Sequence, residues 1–207
     1  VILAAVVAFP IVGGTPLLPM QPVQILWINL VATVALALPL AFEAAEPDVM
    51  ARPPRAPGTP LLDRFVLWRT WSVAVLMAAG AIALFLWELR HAGGGVGVAV
   101  APRALAAAQT AAVTAVVLMQ VVYVLLCRSL TGPVRRVGWW SNPLVYAGVG
   151  GLLALQAAFV YAPPLQRLFG TAALDAGALA RAAGVALAVW PLVVGERLVR
   201  RHRNGGF

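Results

Sequence analysis

The chain reads as long apolar runs interrupted by short clusters of Gly, Pro and Arg. A bilayer crossing needs about 20 residues of helix at a rise of about 1.5 Å each. The runs at about 21–43, 66–89, 103–127, 143–163 and 175–197 meet that length, so each is expected to be a membrane-spanning helix. The stretch 1–12 is apolar but short, begins without Met and lacks a basic leading region. It is expected to be the end of a helix, neither a signal peptide nor a full crossing. Unpaired backbone groups in lipid cost several kcal/mol each, and no alternating strand pattern offers a barrel as the remedy. The predicted fold is therefore all-α: a polytopic transmembrane bundle made of one helix end and five full spans.

Composition agrees with that pattern. Hydrophobic residues make up 62% of the chain and charged residues 11%, with a mean hydropathy of +0.90. That leaves too little polar surface to cover a soluble globule. The net charge of +8 does not signal a nucleic-acid partner, because the basic residues cluster between apolar runs and form no face interleaved with aromatics. All 15 basic residues are arginine, which excludes lysine Schiff-base and general-base chemistry. The single Cys127 excludes an intramolecular disulfide and reads as a small buried filler. Gly93, Gly94, Gly95 and Gly97 lack the lysine of a phosphate-cradling loop and read as a flexible turn.

Arginine placement sets an orientation. Arg52, Arg55, Arg64 and Arg69 follow the first full span, Arg128, Arg135 and Arg136 the third, and Arg197, Arg200, Arg201 and Arg203 the last. The opposite side holds Arg90, Arg103, Arg167 and Arg181. The positive-inside rule then predicts a cytoplasmic C-terminus. Trp68, Trp71, Trp87, Trp139, Trp140 and Trp190 lie near the predicted interfaces as an aromatic belt.

Function in such a bundle would reside in polar residues at depth. Glu43, Glu46, Asp48, Asp63, Glu88, Asp175 and Glu196 all fall at or beyond span ends, so no carboxylate is expected at the midplane. Asn29 and Thr33, four apart, would share a helix face, and Pro39 is expected to bend the same span. Gln120, Tyr123 and Cys127 form a polar stripe at i, i+3 and i+7, and Thr110 and Thr114 a second pair. Gln156 and Ser72 are isolated. Amides and hydroxyls in membrane helices can coordinate an ion or hydrogen-bond a neighbouring helix, and spacing alone leaves both readings open.

The run Pro16-Leu17-Leu18-Pro19 with Gln24-Ile25-Leu26-Trp27-Ile28-Asn29-Leu30-Val31 resembles the sixth membrane helix of P-type cation-transporting ATPases of the calcium-pump type and their bacterial relatives. Glu46-Pro47, Met50 and Arg52-Pro53-Pro54-Arg55 resemble the cytoplasmic exit of that helix. Gln120-Val121-Val122-Tyr123 through Arg128-Ser129 resembles the eighth helix, and Pro191 through Glu196 with Arg200-Arg201 the tenth. The resemblance covers the whole chain, 1–207, as the C-terminal transmembrane domain. It implies the end of helix five at 1–12, helix six at 21–43, seven at 66–89, eight at 103–127, nine at 143–163 and ten at 175–197.

The resemblance also implies an ion-binding and translocating function and a set of ligands. Asn29 matches a cation ligand, while Ala32 and Thr33 stand where a threonine and an aspartate are expected, and Gln120 where a carboxylate is expected. Asn29, Thr33 and Gln120 are thus the candidate cation ligands. With two carboxylates replaced, the set fits a less strongly held cation, monovalent or exchanged for protons, unless charge from elsewhere in the pump restores a divalent site. Arg52 and Arg55 would contact the phosphorylation domain or simply set topology. The implied mechanism is alternating access, driven by ATP with Mg²⁺ through an aspartate phosphorylated in a cytoplasmic domain; this chain holds no ATPase site of its own. The implied partners are membrane lipid and the N-terminal portion of the pump, in a bacterial plasma membrane. A non-catalytic scaffold or degenerate pump remnant, and a small secondary transporter, are the alternatives.

Overall fold

The computed structural model describes residues 11–12, 15–43, 64–92, 101–128 and 141–204. Apart from a two-residue antiparallel ribbon, β1 (Ile11–Val12) with β2 (Thr15–Pro16), the elements are helices. α1 spans Pro22–Leu40, α2 Arg64–His91, α3 Pro102–Cys127, α4 Pro143–Tyr161, α5 Pro163–Phe169, α6 Ala176–Leu187 and α7 Val189–Asn204. Among the described residues, five stretches are long and apolar enough to cross a membrane, α6 and the start of α7 counting as one, Ala176–Glu196. The all-α transmembrane bundle expected from the hydropathy pattern is what forms. The helix end expected at 1–12 lies outside the described residues except for Ile11 and Val12, which are extended.

Helix starts follow proline and caps. Pro22, Pro102, Pro143 and Pro163 each occupy a first helical position, where a missing N–H costs nothing and the fixed φ is already helical. Asn142 accepts from Leu144 N at 3.1 Å, and Asp175 from Ala178 N at 2.6 Å. α5 ends on Gly170 at φ 62°, a left-handed conformation that glycine adopts without penalty. Pro191 cannot donate to the Leu187 carbonyl, and the last span is interrupted at that point, after Leu187.

α3 is the hub, packed against α1, α2, α4, α6 and α7. Of its most apolar window 56% is buried, against 28% for each of the other spans. The reason is in its middle: Ala108 to Val117 is buried at every position, and the run Ala-Gln-Thr-Ala-Ala-Val-Thr-Ala-Val-Val lets neighbouring backbones approach closely. A similar device joins α1 to α4. Pro39 supplies no N–H for the Ala35 carbonyl, and Gly148 of α4 sits where an added Cβ would collide with that carbonyl and meet Pro39 Cγ at 2.9 Å.

Candidate cation-binding site

The backbone around Asn29 departs from regular α geometry. Over Ile28–Ala32 it winds as a π-helix, and Thr33 N–H reaches back five residues to the Ile28 carbonyl. The Thr33 hydroxyl donates to the same oxygen at 3.5 Å. π-turns are rare and occur disproportionately at functional positions. The irregularity in this span lies here, whereas Pro39, expected to bend it, falls in the last turn.

This turn separates two faces of α1. Gln24, Trp27, Ile28, Ala32 and Leu36 face inward. Leu26, Leu30, Val34 and Leu38 are 61%, 63%, 53% and 63% exposed, and Asn29 and Thr33 lie exposed among them. The pair is the polar interruption of an apolar stripe that the described residues leave uncovered. In hydrocarbon an amide with no hydrogen-bond partner is strongly disfavoured, so this stripe is suited to a polar or helical neighbour and poorly suited to lipid alone. Gln120 sits on α3, half-buried, and its Oε1 is buried with no hydrogen-bond partner. Asn29 and Thr33 share a face; no hydrogen bond among the described residues joins Gln120 to either. Arg52 and Arg55 lie outside the described residues.

Several other polar residues within the bundle bond to one another. Trp27 Nε1 donates to Gln156 Oε1 at 3.1 Å, and Gln156 Nε2 to Thr114 Oγ1 at 3.1 Å. Thr114 donates to the Thr110 carbonyl at 2.8 Å, and Thr110 Oγ1 accepts from Ala172 N at 3.0 Å. Trp27 also stacks on Phe159 at 4.8 Å between ring centroids. Nearer the start of α1, Gln21 Nε2 donates to Gln109 Oε1 at 3.3 Å, and Gln109 Nε2 to the Leu18 carbonyl at 2.8 Å. Thr114 and Gln156 are thus committed to bonds between helices, and Thr110 to the Ala172 amide in the linker between α5 and α6. Ser72 bonds back to the Trp68 carbonyl on its own exposed helix face.

At the opposite end of α1, Glu43, Arg128, Ser141, Asn142 and Tyr146 form a knot that sequence reasoning missed. Arg128 donates through Nε and Nη2 to both oxygens of Glu43, at 3.2 and 3.0 Å, through Nη2 to Ser141 Oγ at 2.8 Å, and through Nη1 to Tyr146 OH at 2.9 Å. Asn142 Nδ2 donates to the Pro39 carbonyl at 2.8 Å. Burial pushes the Glu43 carboxyl up, but the bonds from Arg128, Ser141 and Asn142 with the Arg128 charge outweigh it and leave it below its ordinary value. The Glu43 bond raises Arg128 in turn. Arg128 reads in the sequence as a loop arginine, yet its side chain is 1% exposed. Arg69, also assigned to a loop, lies within α2 and is 5% exposed. The signal that could have found these pairs is an acidic residue at one span end for each such arginine: Glu43 for Arg128, Glu196 for Arg69, Glu88 for Arg181.

Comparison with known proteins gives a consistent result. Residues 17–199 match the family described as "Cation transporting ATPase, C-terminus". The chain is 39% identical over 186 residues to the probable cation-transporting ATPase F of Mycobacterium tuberculosis, covering 90% of this chain and 19% of that protein. It is 33% identical to a calcium-transporting ATPase of Bacillus subtilis, over 89% of this chain and 20% of the relative. To the mouse calcium-transporting ATPase type 2C member 2 it is 32% identical, over 84% and 18%. The chain therefore spans about a fifth of the length of the curated relatives it matches.

Proposed function

The chain belongs to the C-terminal membrane region of the P-type cation-transporting ATPases, and from that premise we propose that it forms part of the cation path of an ATP-driven pump, with Asn29 as a ligand and Thr33 and Gln120 as accessory oxygens. The observation that carries the reading is the π-turn at Ile28–Ala32, which surrounds Asn29 and sets it with Thr33 on an otherwise apolar, uncovered stripe. In this reading other helices of the full protein cover the stripe, and the cation sits at the junction. A π-turn loosens the regular hydrogen-bond ladder, which makes carbonyl oxygens available to supplement an amide that carries no charge. Gln120 Oε1, buried and unpaired, is an oxygen of the same neutral kind. ATP and Mg²⁺ would act in cytoplasmic domains elsewhere in the protein, on the side of the membrane that holds the Arg-rich loops and the C-terminus.

The test is ion-stimulated phosphorylation of the full protein in which Asn29→Ala has been made. The expected result is loss of ion stimulation with membrane insertion intact. Unchanged ion dependence removes Asn29 from the site.

A further inference from the structure

Beyond the cation path, the junction of α2, α3 and α7 holds a second polar group. Arg69 of α2 is 5% exposed, and neither its Nε nor its Nη1 has a hydrogen-bond partner. Its Nη2 approaches Cys127 Sγ, a weak acceptor, at 3.7 Å, and its guanidinium lies beside Tyr123, 5.7 Å from the centre of the ring. Glu196 of α7 is the facing charge. Its Oε2 stands 3.8 Å from Arg69 Nε, too far for an N–H···O bond, and its Oε1 is buried without a partner. Opposite charges therefore face each other across a separation that no direct hydrogen bond closes, and each carries a buried polar atom without a partner.

We propose that this junction is an internal hydration site, in which bound water joins Arg69 to Glu196 beside Tyr123 and Cys127. The donor set selects the ligand. The occupant must accept from guanidinium N–H groups and donate to a carboxylate at once. A metal cation would be repelled by Arg69; chloride or phosphate would be repelled by Glu196, and chloride has no proton to donate. Water satisfies both partners and is the usual bridge where polar groups stand beyond about 3.5 Å. A water-bridged pair fixes α7 against α2 and α3 while leaving it more compliant than the bidentate Glu43–Arg128 pair at the end of α1.

The experiment is millisecond radiolytic hydroxyl labelling of the full protein in nanodiscs, read by mass spectrometry at Tyr123 and Cys127. Trp27 is the dry internal reference, being buried and bonded to Gln156. Labelling of Tyr123 and Cys127 at least about ten-fold faster than Trp27 is expected, falling to the Trp27 level in the paired variant Arg69→Met with Glu196→Leu. Should the paired variant not accumulate, Glu196→Leu alone must lower the labelling by at least half. Rates equal to Trp27 in the unmodified protein, or labelling unchanged by the substitutions, overturn the proposal. So does labelling that depends on exchanging chloride or sodium in the buffer, which would identify an ion as the occupant. None of these outcomes depends on Asn29.

Discussion

Removing both charges of the Glu43–Arg128 pair should cost far less than the two single removals added together. The Arg128 side chain is 1% exposed and that of Glu43 14%, so Glu43→Gln leaves a guanidinium in a nearly dry site with no opposite charge. Losing one partner of a buried pair costs about 3–5 kcal/mol. The Gln oxygen, Ser141 and Tyr146 still accept from Arg128, which favours the lower limit, about 3 kcal/mol. Arg128→Met leaves a carboxylate that keeps Ser141 and Asn142 as donors, at 3.0 and 3.3 Å, so about 2 kcal/mol is expected. Replacing both, Glu43→Leu with Arg128→Met, leaves no buried charge and should cost about 2 kcal/mol, mostly from the acceptors orphaned at Ser141 and Tyr146. The coupling is then about 3 kcal/mol, or roughly a hundred-fold in an opening equilibrium. Cys127, one residue before Arg128, reports on that opening through its alkylation rate in the full protein. The double variant should react roughly a hundred times more slowly than multiplying the two single-variant effects would give. Rates that simply multiply would show that the pair is solvated and the knot carries no coupling.

The same pair predicts a pH dependence. Glu43 titrates below its ordinary value of 4.5 when folded, so its stabilisation is fully present above that value and is lost as pH falls through the lower folded value. The melting-temperature difference between the unmodified protein and Glu43→Gln should therefore shrink on acidification below pH 4.5; a difference that is constant with pH refutes this. Gly148→Ala should destabilise by about 1–3 kcal/mol, because its Cβ would meet backbone that cannot yield easily, whereas Gly150→Ala, with nothing within 4 Å, should be neutral or stabilising by up to about 1 kcal/mol. Comparable melting shifts for the two would refute the close approach of α1 and α4. Thr33→Asp should raise divalent-ion affinity by placing a carboxylate beside Asn29; a metal titration without gain would mean that residue 33 points away from the ion.

The spans were legible because lipid removes the alternatives. Where backbone groups have no water to bond, a long apolar run must be a helix, and Pro22, Pro102 and Pro143 mark where three of the five begin. The small residues from Ala108 to Val117 also carried the information that α3 is central, though only the packed structure shows that every one of them is buried. What composition could not distinguish was the role of an arginine. Arg128 and Arg69 obey the same positive-inside count as arginines in loops, and only the tertiary fold brings Glu43 and Glu196 to them. Charge counting is a sum over sequence neighbours, whereas a buried pair here joins positions 85 apart along the chain.

The π-turn was illegible for a different reason, and it bears most on the site. Ile-Asn-Leu-Val-Ala contains no proline or glycine to announce a break, so nothing local disfavours a regular helix. The turn is stabilised by Thr33, whose N–H and hydroxyl both converge on the Ile28 carbonyl. Thr33 therefore acts on this span in two ways: it adds an oxygen beside Asn29, and it helps hold the backbone in the form that presents Asn29 outward. Substituting Thr33 by valine would remove the hydroxyl bond while keeping the N–H bond and the side-chain shape. If the turn depends on the hydroxyl, Thr33→Val should weaken ion stimulation nearly as much as Asn29→Ala; if it depends on the backbone bond alone, only the oxygen's own share is lost. The size of the Thr33→Val effect relative to Asn29→Ala thus separates a ligand from a residue that shapes the helix around one.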